Sequence, residues 1–108
     1  MTEQEFLELN VFYDLKNLNT GYDSDMLWHF SADDFRTVMD RAEGLGMQVL
    51  GIECWEKEEE KFTKYFEDYR VDKWHRQAYD ELLNQHSPCV FTATFDVPAY
   101  LLREYPRD

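Results

Sequence analysis

A chain of 108 residues with 23 acidic and 11 basic side chains carries a formal net charge of −12, yet 17% of it is aromatic. Disordered acidic tails reach such charge by shedding aromatics, so three Trp, seven Tyr and eight Phe exclude that class and leave a folded domain. The sign of the charge excludes nucleic acid and anionic membrane as partners, and no run of about 18 apolar residues offers a bilayer span.

The length fits one acidic domain, residues 1–108, expected to divide into an N-terminal helix and loop (1–25), a core (26–97) and a tail (98–108). Thr2 followed by Glu5 has capping-box spacing, and Phe6, Leu7 and Leu9 give a short apolar stripe, which predicts a helix near residues 3–9. Residues 10–25 show no period. Asn17 to Gly21 reads as a turn and Asp23-Ser-Asp25 as loop chemistry.

Met26–Phe30 is a short apolar run, read as a strand. Ser31 then stands as an N-cap with Asp33 and Asp34 in the first turn, where the helix dipole favours anions. Phe35, Val38, Met39, Ala42 and Leu45 follow at helical spacing, and Gly44 and Gly46 end the helix. Met47–Trp55 is rich in strand formers, with Leu50, Ile52 and Cys54 on one face and Val49, Glu53 and Trp55 on the other. The acidic run at 56–60 fits an exposed loop, and Phe62–Tyr69 the second strand of a hairpin. Asp72 is placed as the cap of a further helix with Trp74, Ala78, Leu82 and Leu83 inward, ending before Pro88. Cys89–Val97 alternates over nine residues, the clearest strand pattern in the chain. Pro98 ends it, and Tyr100, Leu101 and Leu102 of the tail are expected to pack back.

From Met26 the order is strand, helix, strand, strand, helix, strand. Right-handed crossovers fold that order into an α+β, ferredoxin-like βαββαβ sandwich, with an antiparallel sheet, helices on one face and an extra N-terminal segment. That topology sets Met47–Trp55 and Cys89–Val97 at opposite edges, so Cys54 and Cys89 are expected to remain thiols. Two cysteines inside apolar runs, and a start without a basic and apolar leader, fit a cytoplasmic protein.

Catalytic chemistry finds little support in the residues. His29, His75 and His86 are scattered, and Asp23-x-Asp25 lacks the Gly and distal Glu of a calcium loop, so no metal is expected. Cys54 sits among inward apolar residues and reads as a buried thiol rather than a nucleophile. Glu59-x-Lys61 has the spacing of a nuclease triplet without its Pro-Asp element, and the net charge would repel such a substrate. No glycine-rich phosphate loop is present. No catalytic residue and no cofactor are expected, so the chain reads as a non-enzyme.

What remains is an acidic and aromatic constellation: Trp55, Glu56, Glu58, Glu59, Glu60, Tyr65, Glu67, Asp68 and Tyr69, with Phe62 and Phe66 toward the core. Aromatic anchors among carboxylates suit a basic protein partner, because the rings supply buried area while the charges steer encounter. The first 40 residues are the most one-sided stretch, with nine acids against Lys16 and Arg36.

The stretch from Ala42 to Trp55 ends a helix and enters a strand through a Gly-Leu, then Leu-Gly-Ile-acid, pattern. It resembles bacterial immunity proteins of the type that neutralise anticodon-cleaving colicin ribonucleases. That resemblance implies a small acidic cytosolic α/β protein that blocks a basic toxin site by imitating its RNA. His29 to Asp34, its helix and Leu45-Gly46 are similar to acidic bacterial regulators that restrain a messenger-degrading ribonuclease, whose acidic C-terminal extension is missing here. Both resemblances imply an acidic inhibitor that occludes a nuclease's nucleic-acid-binding surface. The alternatives are a regulator of a housekeeping ribonuclease, a phage-encoded inhibitor of a host nuclease or, in another class, a small-molecule binder or enzyme on the open sheet face.

Overall fold

The computed structural model describes residues 2–59, 61–67, 83–84 and 89–104, with Tyr65, Phe66, Glu67 and Glu104 described by their backbone path. Its architecture is α+β, built on an antiparallel three-stranded sheet. Helix α1 spans Glu3–Asn10, and the expected capping box forms. The Thr2 hydroxyl accepts from the Glu5 amide at 3.1 Å, and the Glu5 carboxylate reaches back toward the Thr2 amide. Its apolar stripe buries Phe6 and Leu7, while Leu9 is left outside.

Helix α2, Ala32–Gly44, starts where Ser31 predicts, the Ser31 hydroxyl accepting from the Asp34 amide at 3.2 Å. Phe35, Val38, Met39 and Ala42 recur every three or four residues and form its buried face. The helix is closed by Gly46 in the left-handed region at φ +74°, where a glycine avoids the Cβ penalty. A Cβ there would also stand 3.2 Å from the Tyr100 hydroxyl. Arg41, near the C-terminal end of α2, ties the two helices together. One guanidinium nitrogen donates to the Val11 carbonyl at 2.8 Å, and both nitrogens reach the Asp14 carboxylate at 2.7 and 3.0 Å. That fork holds the Asp14 carboxyl below its usual range.

Strand β1 is Gln48–Glu58, β2 Lys61–Glu67 and β3 Val90–Asp96, and the sheet order is β2-β1-β3. Helix α3, Ala99–Glu104, follows and buries Leu101, with Leu102 half-buried and Tyr100 largely exposed. One apolar cluster draws on every helix and on β1 and β3. Phe6, Val11, Phe30, Phe35, Val38, Ile52, Cys54, Leu83 and Phe91 are among its most deeply buried members. Phe35 of α2 stacks on Phe91 of β3 at 5.4 Å, which places α2 on the Ile52–Cys54–Phe91 face of the sheet.

Four expectations are corrected. The ferredoxin-like order separates residues 47–55 from 89–97, whereas β1 and β3 are direct neighbours, with Ile52 opposite Ala93 and Cys54 opposite Phe91. A central β1 satisfies its backbone on both sides, and this suits the longest apolar strand of the chain. Met26–Phe30 is not a strand: only Phe30 bridges to Phe91, through two bonds of 2.8 Å, and the preceding residues turn away. The facing of Met47–Trp55 changes at Leu50, because a bulge between Val49 and Gly51 inserts one residue against β3. Val49 therefore joins Ile52 and Cys54 in the core, and Leu50 is pushed out to 52% exposure. Finally, Glu56–Glu58 belong to β1 rather than to a loop. Glu58 already pairs with Lys61, and Glu59 stands at φ +46°, the left-handed backbone that tight hairpin turns use.

Cys54 and Cys89 are both buried thiols. The separation used to expect this does not exist, since Cys89 lies only two residues from the partner of Cys54 on the adjacent strand. The further helix placed after Asp72 falls outside the described residues except for Leu83, buried, and Asn84, both with helical backbone.

Candidate functional site

Two places in the fold could carry function. One is the hairpin that the sequence singles out, and the other is an aromatic cluster that it does not.

On the hairpin, Glu58 and Glu59 are exposed and Glu56 is half-buried. Lysines interleave with them: Glu58 pairs in register with Lys61, Glu56 with Thr63, and Lys57 with Phe62. Opposite charges facing across a ladder offset one another, so Lys61 offsets Glu58 and the tip is less one-sided than its run of glutamates suggests. Backbone register sets Tyr65 opposite Cys54 and Glu67 opposite Ile52. Glu60, Asp68 and Tyr69 lie outside the described residues. The expected set is therefore split, with Glu56, Glu58 and Glu59 at the tip and Trp55 elsewhere.

Trp55 is not an exposed anchor. It lies on the sheet face opposite Cys54, and its indole N–H is buried. The Lys64 ammonium stands 5.8 Å from the ring centre and pairs with Glu53 at 3.1 Å, so the exposed side of the ring is covered by a cation. The other side meets Tyr22 at 5.4 Å and His29 at 5.3 Å, and Tyr22 in turn lies flat on Phe62 at 3.6 Å.

The residues from Asn17 to His29 bring these rings together. Leu18 donates to the His29 carbonyl at 2.8 Å, which closes the loop at its neck. The Asn17 side-chain oxygen accepts from the amides of Asn19 and His29. The Asn19 amide donates to the Ser24 and Leu27 carbonyls at 2.9 Å, while its oxygen accepts from Gly21 and Asp23. Two asparagines thus supply the backbone pairing that a helix or ladder gives elsewhere. This loop closes the second face of the sheet with Tyr22 and His29.

His29 is 0% exposed, and its Nε2 meets the Asp23 carboxylate at 2.8 Å. A carboxylate only accepts, so Nε2 carries the proton and Nδ1 is left as an acceptor. Burial pushes the imidazole below its ordinary range, outweighing the pull of Asp23 in the other direction. Burial, helped by Asp23, also raises the Tyr22 phenol to about 12. Among the described residues, the Nδ1 of His29, the Tyr22 hydroxyl and the Trp55 indole N–H have no hydrogen-bond partner. The arrangement resembles a carboxylate-oriented base, but its unpartnered nitrogen is sealed beneath aromatic rings.

A pH dependence follows. A histidine whose folded value is depressed keeps its contribution to stability above its unfolded pKa, near 6.5, and loses it as pH falls. His29→Gln, which keeps a donor toward Asp23 without a titrating ring, is expected to flatten the decline in urea midpoint between about pH 6.5 and 5. Parallel curves for the two proteins over that range would show that His29 does not titrate against the fold.

Among the described residues no group of three or more His, Cys, Asp or Glu side chains could hold a metal ion, and no helix is long and apolar enough to cross a membrane. Trp55 stands in a strand that the sequence marks, but Tyr22 and His29 come from segments without periodicity, and only an isolated histidine hints that they join it. No protein-family model matches the chain, and neither a curated protein nor a solved structure matches it.

Proposed function

We propose that this protein is a non-enzymatic binder that covers the basic nucleic-acid-binding surface of a nuclease and inhibits it by occlusion. One observation carries the reading: a net charge of −12 is held on a domain with a continuous aromatic and aliphatic core. A domain of this size bears the self-repulsion of that charge, and the charge is what a cationic groove would recognise. Lys57 within the hairpin run and Lys61 opposite Glu58 move the emphasis from residues 56–60 to the first 43 residues. There Glu3, Asp25, Asp33, Asp40 and Glu43 are all exposed.

Among the described residues, the reading as a small-molecule binder or enzyme has less support. There the second sheet face is covered by the Tyr22 loop, and the cleft beside β3, about 30 Å³, is roughly a tenth of the smallest usual ligand pocket.

The test measures RNA cleavage by purified anticodon-cleaving and messenger-degrading ribonucleases with increasing amounts of this protein, at two salt concentrations. Stoichiometric inhibition is expected, with an association rate that falls steeply as salt rises. The triple change Glu3→Lys, Asp25→Lys and Asp40→Lys is expected to slow association by about tenfold or more, and Glu56→Lys with Glu58→Lys by less. Inhibition indifferent to salt and to both sets, or none with either class of nuclease, overturns the proposal.

A further inference from the structure

Among the described residues, the outer edge of β3 is open where it borders an apolar cleft. Phe91 exchanges both backbone bonds with Phe30, so its N–H and C=O point away from β1. Backbone groups two residues apart in a strand point the same way, so those of Ala93 and Phe95 share that outer edge. Beyond Phe91 the 26–28 segment diverges from the edge. Leu27 turns back to Ser24, and its carbonyl is taken by Asn19. No described residue pairs with Ala93 or Phe95 on that side.

The wedge left between the two segments is a cleft of about 30 Å³, with room for one small apolar side chain. It is lined by Leu7, Phe12, Trp28, Phe30, Ala93 and Phe95. Met26, 61% exposed, and Leu27, 36% exposed, also border it, and the flexible thioether of Met26 can adapt to what enters. The outer edge carries none of the lysines or interior prolines that usually blunt such an edge; only Asp96 and Pro98 come at its end. The residues next to the cleft-lining Gln4, Met26 and Phe95 are Glu3, Asp25 and Asp96, all exposed and all acidic.

We propose that this edge is a peptide-docking site. An extended segment of a basic partner adds as a strand against Ala93–Phe95, sets one aliphatic side chain in the cleft and places Lys or Arg opposite Glu3, Asp25 and Asp96. Main-chain bonds supply affinity and the alternate side chain supplies specificity. A second copy of this chain would offer the same edge, but it would bring another −12 of charge to a chain that already carries −12. The choice of a cationic occupant rests on the proposed function; the open edge does not.

The experiment uses the full chain labelled for amide NMR and a nine-residue peptide of alternating valine and threonine with two lysines at each end. Two control peptides are a glutamate-flanked one and a lysine-flanked one N-methylated at alternate residues. The lysine-flanked peptide is expected to shift the Ala93 and Phe95 amides and protect them from exchange. Affinity should be at least about tenfold weaker for either control and for Glu3→Lys with Asp25→Lys. Equal binding of all three peptides, shifts confined to residues 56–61, or protection of Ala93 that grows with protein concentration alone would each overturn the site. Nuclease inhibition without any shift at residues 93–95 removes this site and leaves the inhibitor reading. Peptide pairing at Ala93 without inhibition of any nuclease supports the site and removes that reading.

Discussion

Replacing Phe91 by alanine is expected to destabilise the protein by about 3–5 kcal/mol, read from the shift of the urea midpoint. The ring is 0% exposed and stacks on Phe35, so its loss opens a cavity between α2 and the sheet that neither can close without moving. The residue also sits at a junction, bonded through its backbone to Phe30 on one side and facing Cys54 on the other. Thr94→Ala, exposed on the same strand, serves as the control and should stay within about 0.5 kcal/mol. Similar midpoints for the two variants would mean that α2 does not rest on this face.

Trp55→Ala is the second large effect, about 2–3 kcal/mol, discounted from a full core truncation because the ring is half-buried. The loss should appear as stability. It should not appear as faster release of a partner, since the ring packs inward on Tyr22 and His29 and is capped by Lys64. Tyr22→Phe gives the opposite sign. It removes a buried hydroxyl that has no partner while keeping the stack on Phe62, so stability should hold or rise by up to about 1 kcal/mol. A Trp55→Ala protein of unchanged stability that releases its partner faster would restore the indole to the surface role the sequence suggested.

Local signals in the sequence translated directly into structure. The caps at Thr2 and Ser31, the helical spacing from Phe35 to Ala42 and the alternation of Cys89–Val97 each depend on neighbours within four residues, and each element stands where its residues put it. Strand order did not, because pairing is decided by which apolar faces meet across the whole chain. Nothing near Gln48 signals that β3, more than 40 residues later, lies beside it. The Leu50 bulge shifted the inward set by one place, and an uninterrupted apolar run such as Val49-Leu50 cannot reveal that. The hairpin glutamates were legible as exposed charge, but the lysine opposite Glu58 emerged only from the register. The Tyr22–His29–Trp55 cluster depended on a loop folded by asparagine side chains, a pattern with no period to read.

The bulge has a consequence for how this chain can change in length. Within Gln48–Trp55, the part of β1 that pairs with β3, Val49 faces Phe95 and Gly51 faces Thr94, so Leu50 is left without a counterpart. Losing a residue between Ile52 and Trp55 would turn every following side chain over, exchanging core for solvent. Losing Leu50 would leave Val49, Ile52 and Cys54 still facing inward and would convert an irregular ladder into a regular one. The central strand therefore contains a built-in spare position, where descendants of this sequence could shorten by one residue and keep their core.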